Sequence, residues 1–378
     1  MNRPTRPDGR QGAPRPVPGR NGEVRTIADL ARLAGVSGAT VSRALSGSPL
    51  VKAETRERIA RLARAHGFRL NPRARQLRLK RTDTVSVHLL IGPRAGQTLS
   101  DPFLLELLGV IGDELAGAGY DMLLARAEPG SDWWEELLHP HRFDGAIIFG
   151  QASEHRRLNE LAGRGVPFVV WGGELPDHRY DIVGSDNVAG ARALTAHLLD
   201  RGARRIAFLG DLGFPEVALR WEGFRHAHAK RGLAPDPDLL RSCAFTADAA
   251  AAAIGELGAA GARFDAVVAA SDVMALGAIR ALTEMGRVVP DDVLVAGFDD
   301  IPLAAHVRPS LTTVRQDVVA GGRALVRLLL DRLRGRTEEG PRRVLLPTRL
   351  VVRESTGRAA PADAVGRTKD TDGRRQAG

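Results

Sequence analysis

From Arg25 onward the apolar residues fall at helical spacing. Ile27, Leu30, Ala31 and Ala34 recur three and four positions apart, which predicts a short amphipathic helix. Thr26 can cap it, with Asp29 three residues on as the partner of a capping box. Gly35 breaks the pattern. Ser37 caps a second helix, Gly38 to about Leu45, that turns Val41, Ala44 and Leu45 inward. A third, about Glu54 to Ala65, buries Ile59, Leu62 and Ala63, with Phe68 after it. Two short helices joined by a tight glycine turn, plus a third, form the helix-turn-helix plan.

Asn71-Pro72 opens another short helical stretch, because Asn is a good N-cap and Pro suits the first helical position. Arg73, Arg75, Gln76, Arg78, Lys80 and Arg81 make it so basic that it folds only against a polyanion. From Thr84 the pattern changes again, to short apolar runs alternating with helical segments. The runs are Val85–Ile91, Asp121–Ala125, Gly145–Phe149, Phe168–Trp171, Ile206–Leu209, Ala266–Ala269 and Val293–Gly297. The helical segments are Phe103–Ala118, Asn187–Arg201, Glu216–Arg231, Thr246–Ala260, Asp272–Met285 and Val318–Arg334. Such alternation predicts an α/β body of parallel sheets covered on both faces, and its length predicts two lobes. The expected divisions are a disordered basic arm (1–22), a helix-turn-helix domain (23–69), a hinge helix and linker (70–83), the two-lobed body (84–357) and a disordered tail (358–378).

Charge sharpens this division. The chain has 378 residues and a formal net charge of +9. Residues 1–83 carry 19 basic and 6 acidic side chains, whereas residues 84–357 carry 30 and 36. A basic head on a slightly acidic body points to a polyanionic partner for the head. Arginine dominates: only Lys52, Lys80, Lys230 and Lys369 are lysines, a bias attributable to genome composition. The lone Cys243 excludes an internal disulfide framework and fits a reducing compartment. No run of apolar residues is long enough to cross a membrane, and the N-terminus lacks the apolar segment of a secretory signal. The expected location is the cytoplasm.

Thr26-Ile-Ala-Asp-Leu-Ala-Arg-Leu-Ala-Gly-Val-Ser followed by Ala39-Thr-Val-Ser-Arg-Ala-Leu-Ser resembles the DNA-binding head of lactose-repressor (LacI) family regulators. Thr55 to Ile59, Asn71-Pro72 and Gln76-Leu77 continue the resemblance in register. In the body it is carried by Asp186-Asn-Val-Ala-Gly-Ala, Ser271-Asp-Val-Met-Ala-Leu-Gly, Val295-Ala-Gly-Phe-Asp-Asp and Pro309-Ser-Leu-Thr-Thr-Val. It spans roughly residues 24–356. The resemblance implies a helix-turn-helix head, a hinge helix and a body like periplasmic sugar-binding proteins. It further implies a repressor controlled by a small effector.

The head's second helix is expected in the major groove, N-terminus first. The resemblance assigns DNA contact to Thr26, Ser37, Ala39, Thr40, Ser42, Arg43 and Ser46. Arg43 can reach a guanine edge with both arms of its fork, and Ala39 can touch a thymine methyl. In the hinge it assigns Asn71, Ala74, Leu77 and Arg78. Leu77 is the wedge that unstacks a base step in the minor groove. Lys52 departs from the family, which usually places a capping Ser there.

For the effector, the resemblance assigns Arg220 and Asp299 as the charged pair of the cleft and Phe245 as the aromatic that stacks on the ligand. Phe103, Asp186 and Ser271 complete the set. Asp186 is equally suited to cap the helix from Asn187. A carboxylate and a guanidinium fork suit the vicinal hydroxyls of a sugar, with a purine as the second choice. Neither a phosphate loop nor a zinc-protease signature occurs. No enzyme, metal or cofactor is therefore expected. An exported sugar-binding protein would lack the basic head, and a fused sugar kinase would need a nucleotide loop. The expected partners are a roughly palindromic double-stranded operator and a second copy of the chain. The tail from Arg358 has no apolar heptad, so the expected assembly is a dimer rather than a tetramer.

Overall fold

A computed structural model describes Val24 and residues 26–68, 81–92, 96–138, 142–151, 153–336 and 340–357. The chain divides into two compact units, with the boundary between Arg81 and Thr82. The first unit holds α1 (Ile27–Ala34), α2 (Gly38–Leu45) and α3 (Ala53–Ala65). Its expected capping box is present. The Asp29 N–H donates to the Thr26 hydroxyl and the Thr26 N–H to the Asp29 carboxylate, each at 3.1 Å. Gly35 closes α1 at φ 64°, a left-handed conformation that costs glycine nothing. Ser37 caps α2 through the Thr40 N–H. Lys52, by contrast, precedes α3 with no side-chain cap. Leu30, Val41 and Ile59 are fully buried where the three helices meet.

The second unit begins earlier than the expected 84, because the Asp144 carboxylate captures its first residues. It accepts the Thr82 N–H at 2.6 Å and the Asp83 N–H at 3.0 Å, which ties both to the body. The first lobe contains β1 (Thr84–Leu90), α4 (Pro102–Gly117), β2 (Asp121–Ala127), α5 (Glu135–Leu138), β3 (Gly145–Phe149), α6 (His155–Gly163), β4 (Phe168–Trp171) and β5 (Asp181–Ser185). The second lobe contains α7 (Asn187–Asp200), β6 (Ile206–Leu209), α8 (Pro215–Ala229), β7 (Leu240–Arg241), α9 (Ala247–Ala259), β8 (Ala266–Ala269), α10 (Asp272–Glu284) and β9 (Leu294–Ala296). The chain then passes through β10 (Thr313–Arg315) to α11 (Val318–Leu333), β11 (Arg343–Leu346) and β12 (Arg349–Val351).

The first sheet has the order β2-β1-β3-β4-β5-β11 and the second β7-β6-β8-β9. Every pairing within both is parallel. Both faces of the first sheet are covered, one by α4 and α11, the other by α5 and α6. Hence its strands read as continuous apolar runs such as Gly145-Ala-Ile-Ile-Phe. The β5–α7, β10–α11 and β11–β12 junctions carry the chain between the lobes. The antiparallel pair β10–β12, which no sequence pattern announced, lies at these crossings.

Each sheet reverses its order between its first and third strands. In open parallel sheets that switch point leaves a crevice beyond the strands' carboxyl ends. The two crevices face one another and form one cleft.

Candidate functional site

The cleft draws on the carboxyl ends of β1, β3 and β4 on one side and on residues following β8 and β9 on the other. Its lining includes Ile91, Asp101, Phe103, Gly150, Trp171 and Asn187, together with Phe214, Glu216, Arg220, Phe245, Ser271, Asp299 and Gln316. Five of the six expected effector residues are therefore here: Phe103, Arg220, Phe245, Ser271 and Asp299. Asp186 is not. Its carboxylate accepts the Ala189 N–H at 2.9 Å, capping α7 outside the cleft lining, and the neighbouring Asn187 faces the cleft instead.

Arg220 is the centre of the polar lining. It stands on the cleft side of α8, almost fully buried. Its Nε donates to Asn187 Oδ1 at 2.8 Å and its Nη1 to the Ala270 carbonyl. Its Nη2 lies 4.0 Å from Asp299 Oδ1, and its guanidinium carbon sits 3.8 Å from the centre of the Phe298 ring. Flat cations favour such ring faces. These partners hold the fork at one orientation before any ligand arrives.

Asp299 follows β9 with φ 121°, a region seldom occupied except by glycine. Surrounding bonds over-determine the turn. The Asp299 N–H donates to the Val314 carbonyl at 2.8 Å, and Gln316 Nε2 donates to Asp299 Oδ1 at 2.7 Å. The next residue, Asp300, is clamped between Arg315 and Arg353, each at 2.6 Å. Beneath the turn lies Asp272, which accepts the Ile301 N–H at 2.9 Å and the Thr313 hydroxyl. Gly297 must be glycine here, because a Cβ would overlap the Asp272 carboxylate. Strain fixed by its surroundings at a cleft mouth is a mark of a functional site.

Burial dominates the cleft's electrostatics. It pushes the Asp299 carboxyl well above its ordinary value, against the nearby Arg220 charge and with Asp272 and Asp101 adding to the rise. Glu216, in the first turn of α8, is raised for the same reason, although its own N–H, Arg220 and the Gly173 N–H oppose it. Asp101 is raised too, by burial, although it accepts the Phe103 and Leu104 N–H groups at the start of α4. The apolar wall consists of two ring pairs: Phe103 against Trp171 at 6.0 Å, and Phe214 edge-on to Phe245 at 5.4 Å. Phe103 and Phe214 each pack into the cores of both lobes.

Residue reading missed Asn187, Glu216, Asp101, Gln316 and Trp171. Several had a signal. Asp101-Pro102 is a cap-and-first-turn pair, Glu216 stands one helical turn before Arg220, and Gln316 follows the quoted Pro309–Val314 motif by two positions.

In the head, Ser37, Ala39, Arg43 and Ser46 are exposed on or beside α2, while Thr40 and Ser42 are half-buried. The Ser37 and Thr40 hydroxyls lie 2.9 Å apart, and Ser46 Oγ donates to the Ser42 carbonyl at 2.8 Å. Thr26 is exposed, and its hydroxyl serves the capping box. The Arg43 guanidinium has no protein partner among the described residues. Asn71, Ala74, Leu77 and Arg78 lie outside them.

Comparison with known proteins joins the two units. Residues 26–71 match the model of the bacterial regulatory proteins of the lacI family, and residues 195–356 match a periplasmic binding protein-like domain. The HTH-type transcriptional regulator CelR of Thermobifida fusca is 37% identical over 87% of this chain and 98% of its own length. The chain belongs to the lacI family. Like its relatives, this lacI-family member is a DNA-binding transcription regulator and not an enzyme. A solved CelR–cellobiose complex is 35% identical over 87% of this chain and 99% of the other, with TM-score 0.66. The lac repressor dimer bound to operator and an anti-inducer covers 89% of this chain and 100% of its own, at 27% identity and TM-score 0.78. Among the described residues no helix is long and apolar enough to cross a membrane.

Proposed function

We propose that this regulator binds a sugar in the cleft between its lobes, and that the sugar sets the affinity of its head for operator DNA. The observation that carries the reading is the Arg220–Asp299 pair lining one cleft with two aromatic pairs, with residues from both lobes. A sugar ring has apolar faces and a polar rim. The phenyl and indole rings cover the faces, Asp299 accepts from hydroxyls, and Arg220 donates to oxygens. The CelR relative, seen with cellobiose, supports a saccharide as the ligand class.

The head reads DNA through α2, with Arg43 at a base edge and Ser37, Ala39, Thr40 and Ser42 against phosphate and base. Thr26 and Ser46 sit at helix ends against the backbone, and Asn71, Ala74, Leu77 and Arg78 contact the operator centre. The protein acts in the cytoplasm, where operator DNA lies. It works as a dimer on a roughly palindromic site, as two copies of one head require. Ligand favours one lobe arrangement, and population shift between arrangements alters the presentation of the heads.

Calorimetry with cellobiose, maltose and ribose tests the site. One of these sugars binds the wild type, and Asp299→Ala and Arg220→Ala each weaken it by roughly 2–4 kcal/mol, as loss of a buried charged hydrogen-bond partner does. Unchanged affinity in both variants places the site elsewhere.

A further inference from the structure

We propose that the cleft selects uncharged saccharides and rejects those bearing phosphate or carboxylate, and that Asp101 and Glu216 enforce this choice. The inference rests on the sugar reading above and narrows it. In parallel α/β structures an anion is held by the free N–H groups of helix N-termini beyond the strand ends. Around this cleft α4, α7, α9 and α10 each begin with a side chain that already accepts such N–H groups. Asp101 Oδ1 takes the Phe103 and Leu104 N–H groups of α4 at 3.1 and 3.2 Å. The start of α8 has no such cap, but the Glu216 carboxyl stands in its first turn. The Ser271 hydroxyl takes the Met274 N–H of α10, Thr246 that of Ala249 in α9, and Asp186 that of Ala189 in α7.

The charges agree. Among the described residues lining the cleft, three are carboxyls, Asp101, Glu216 and Asp299, against the single cation Arg220. Arg220 is also committed to Asn187, Ala270 and Asp299. An incoming phosphate, with its charge of about −1.5 to −2, finds the starts of α4, α7, α9 and α10 already claimed and meets carboxyls from both lobes. Hydroxyl donors meet the opposite situation, since each carboxyl keeps acceptor sites free for them.

Full-length protein titrated calorimetrically with matched pairs tests this: glucose and glucose 6-phosphate, cellobiose and cellobionate, ribose and ribose 5-phosphate. The neutral member of a binding pair is expected to bind at least about tenfold more tightly. In Asp101→Asn combined with Glu216→Gln the gap narrows about tenfold. Asn still caps a helix, so α4 is kept, and circular dichroism with the thermal midpoint verifies the fold. An anionic member that binds as tightly as its neutral partner overturns the inference and leaves the sugar reading standing. So does a gap unchanged in the folded double variant. Failure of every pair to bind overturns the sugar reading, and the inference falls with it.

Discussion

Asp181 shows how much rests on one carboxylate. It is wholly buried at the start of β5, and accepts from Arg332 Nε and Nη2 at 2.8 and 2.7 Å and from the Arg342 backbone N–H at 2.8 Å. Burial alone would raise its carboxyl, but these donors hold it below its ordinary value. It thereby ties α11 and the start of β11 to the first sheet. Asp181→Asn is expected to cost about 3 kcal/mol, the lower end for a broken buried pair, because both arginines are partly solvated. Urea unfolding measures it. A depressed carboxyl contributes stability above its unfolded value and loses it as pH falls through the folded value. The deficit of the variant therefore shrinks below about pH 4. Asp272 has the opposite sign, since burial pushes it up to about 7. Its contribution to stability is present below the ordinary carboxylate range and lost as pH rises through about 7. Asp272 should pull the wild-type urea midpoint down as pH rises from about 4 to about 7, and Asp272→Asn should flatten that part of the profile. A variant with the wild-type pH profile would show that Asp272 is ionised throughout.

Helix termini govern the element scale. Of the three head helices, α3 alone begins without a side-chain acceptor, at Lys52. Lys52→Ser supplies one and is expected to stabilise α3 by about 1 kcal/mol. Hydrogen exchange in the first turn, residues 53–56, would slow; unchanged protection would mean that this end is held by tertiary contacts instead. The elements most legible from residues were those with strong period and good caps. Gly145–Phe149, Phe168–Trp171, Ile206–Leu209 and Ala266–Ala269 stand where their apolar runs placed them. Six helices of the body agree to within one or two residues at each end. Those that went unread have weak local signals. β5 contains Asp181 and Gly184, whose place depends on Arg332 and on contact with the Gly172 backbone. β11 alternates exposed and half-buried residues at a sheet edge. Tertiary partners decide such segments. In the site, Arg220 and Asp299 were legible through the resemblance. Asp101 and Glu216 were not, because their role arises from two lobes meeting and neither sequence neighbourhood records that.

At the scale of the molecule, regulation requires that the cleft and the head be coupled, and the coupling must be reciprocal. The cleft meets that requirement on its own side. It draws residues from both lobes, so a ligand that binds it has different contacts in each lobe arrangement and shifts the balance between them. The most direct measurement is operator affinity by fluorescence anisotropy, on a duplex selected by the protein from a random library, with and without a saturating sugar identified by calorimetry. The wild-type dissociation constant should change by about 5- to 150-fold. Asp299→Ala should bind the duplex like the wild type and show no change with sugar. An operator affinity identical with and without sugar, at concentrations where calorimetry shows the cleft filled, would contradict control of the head by the cleft.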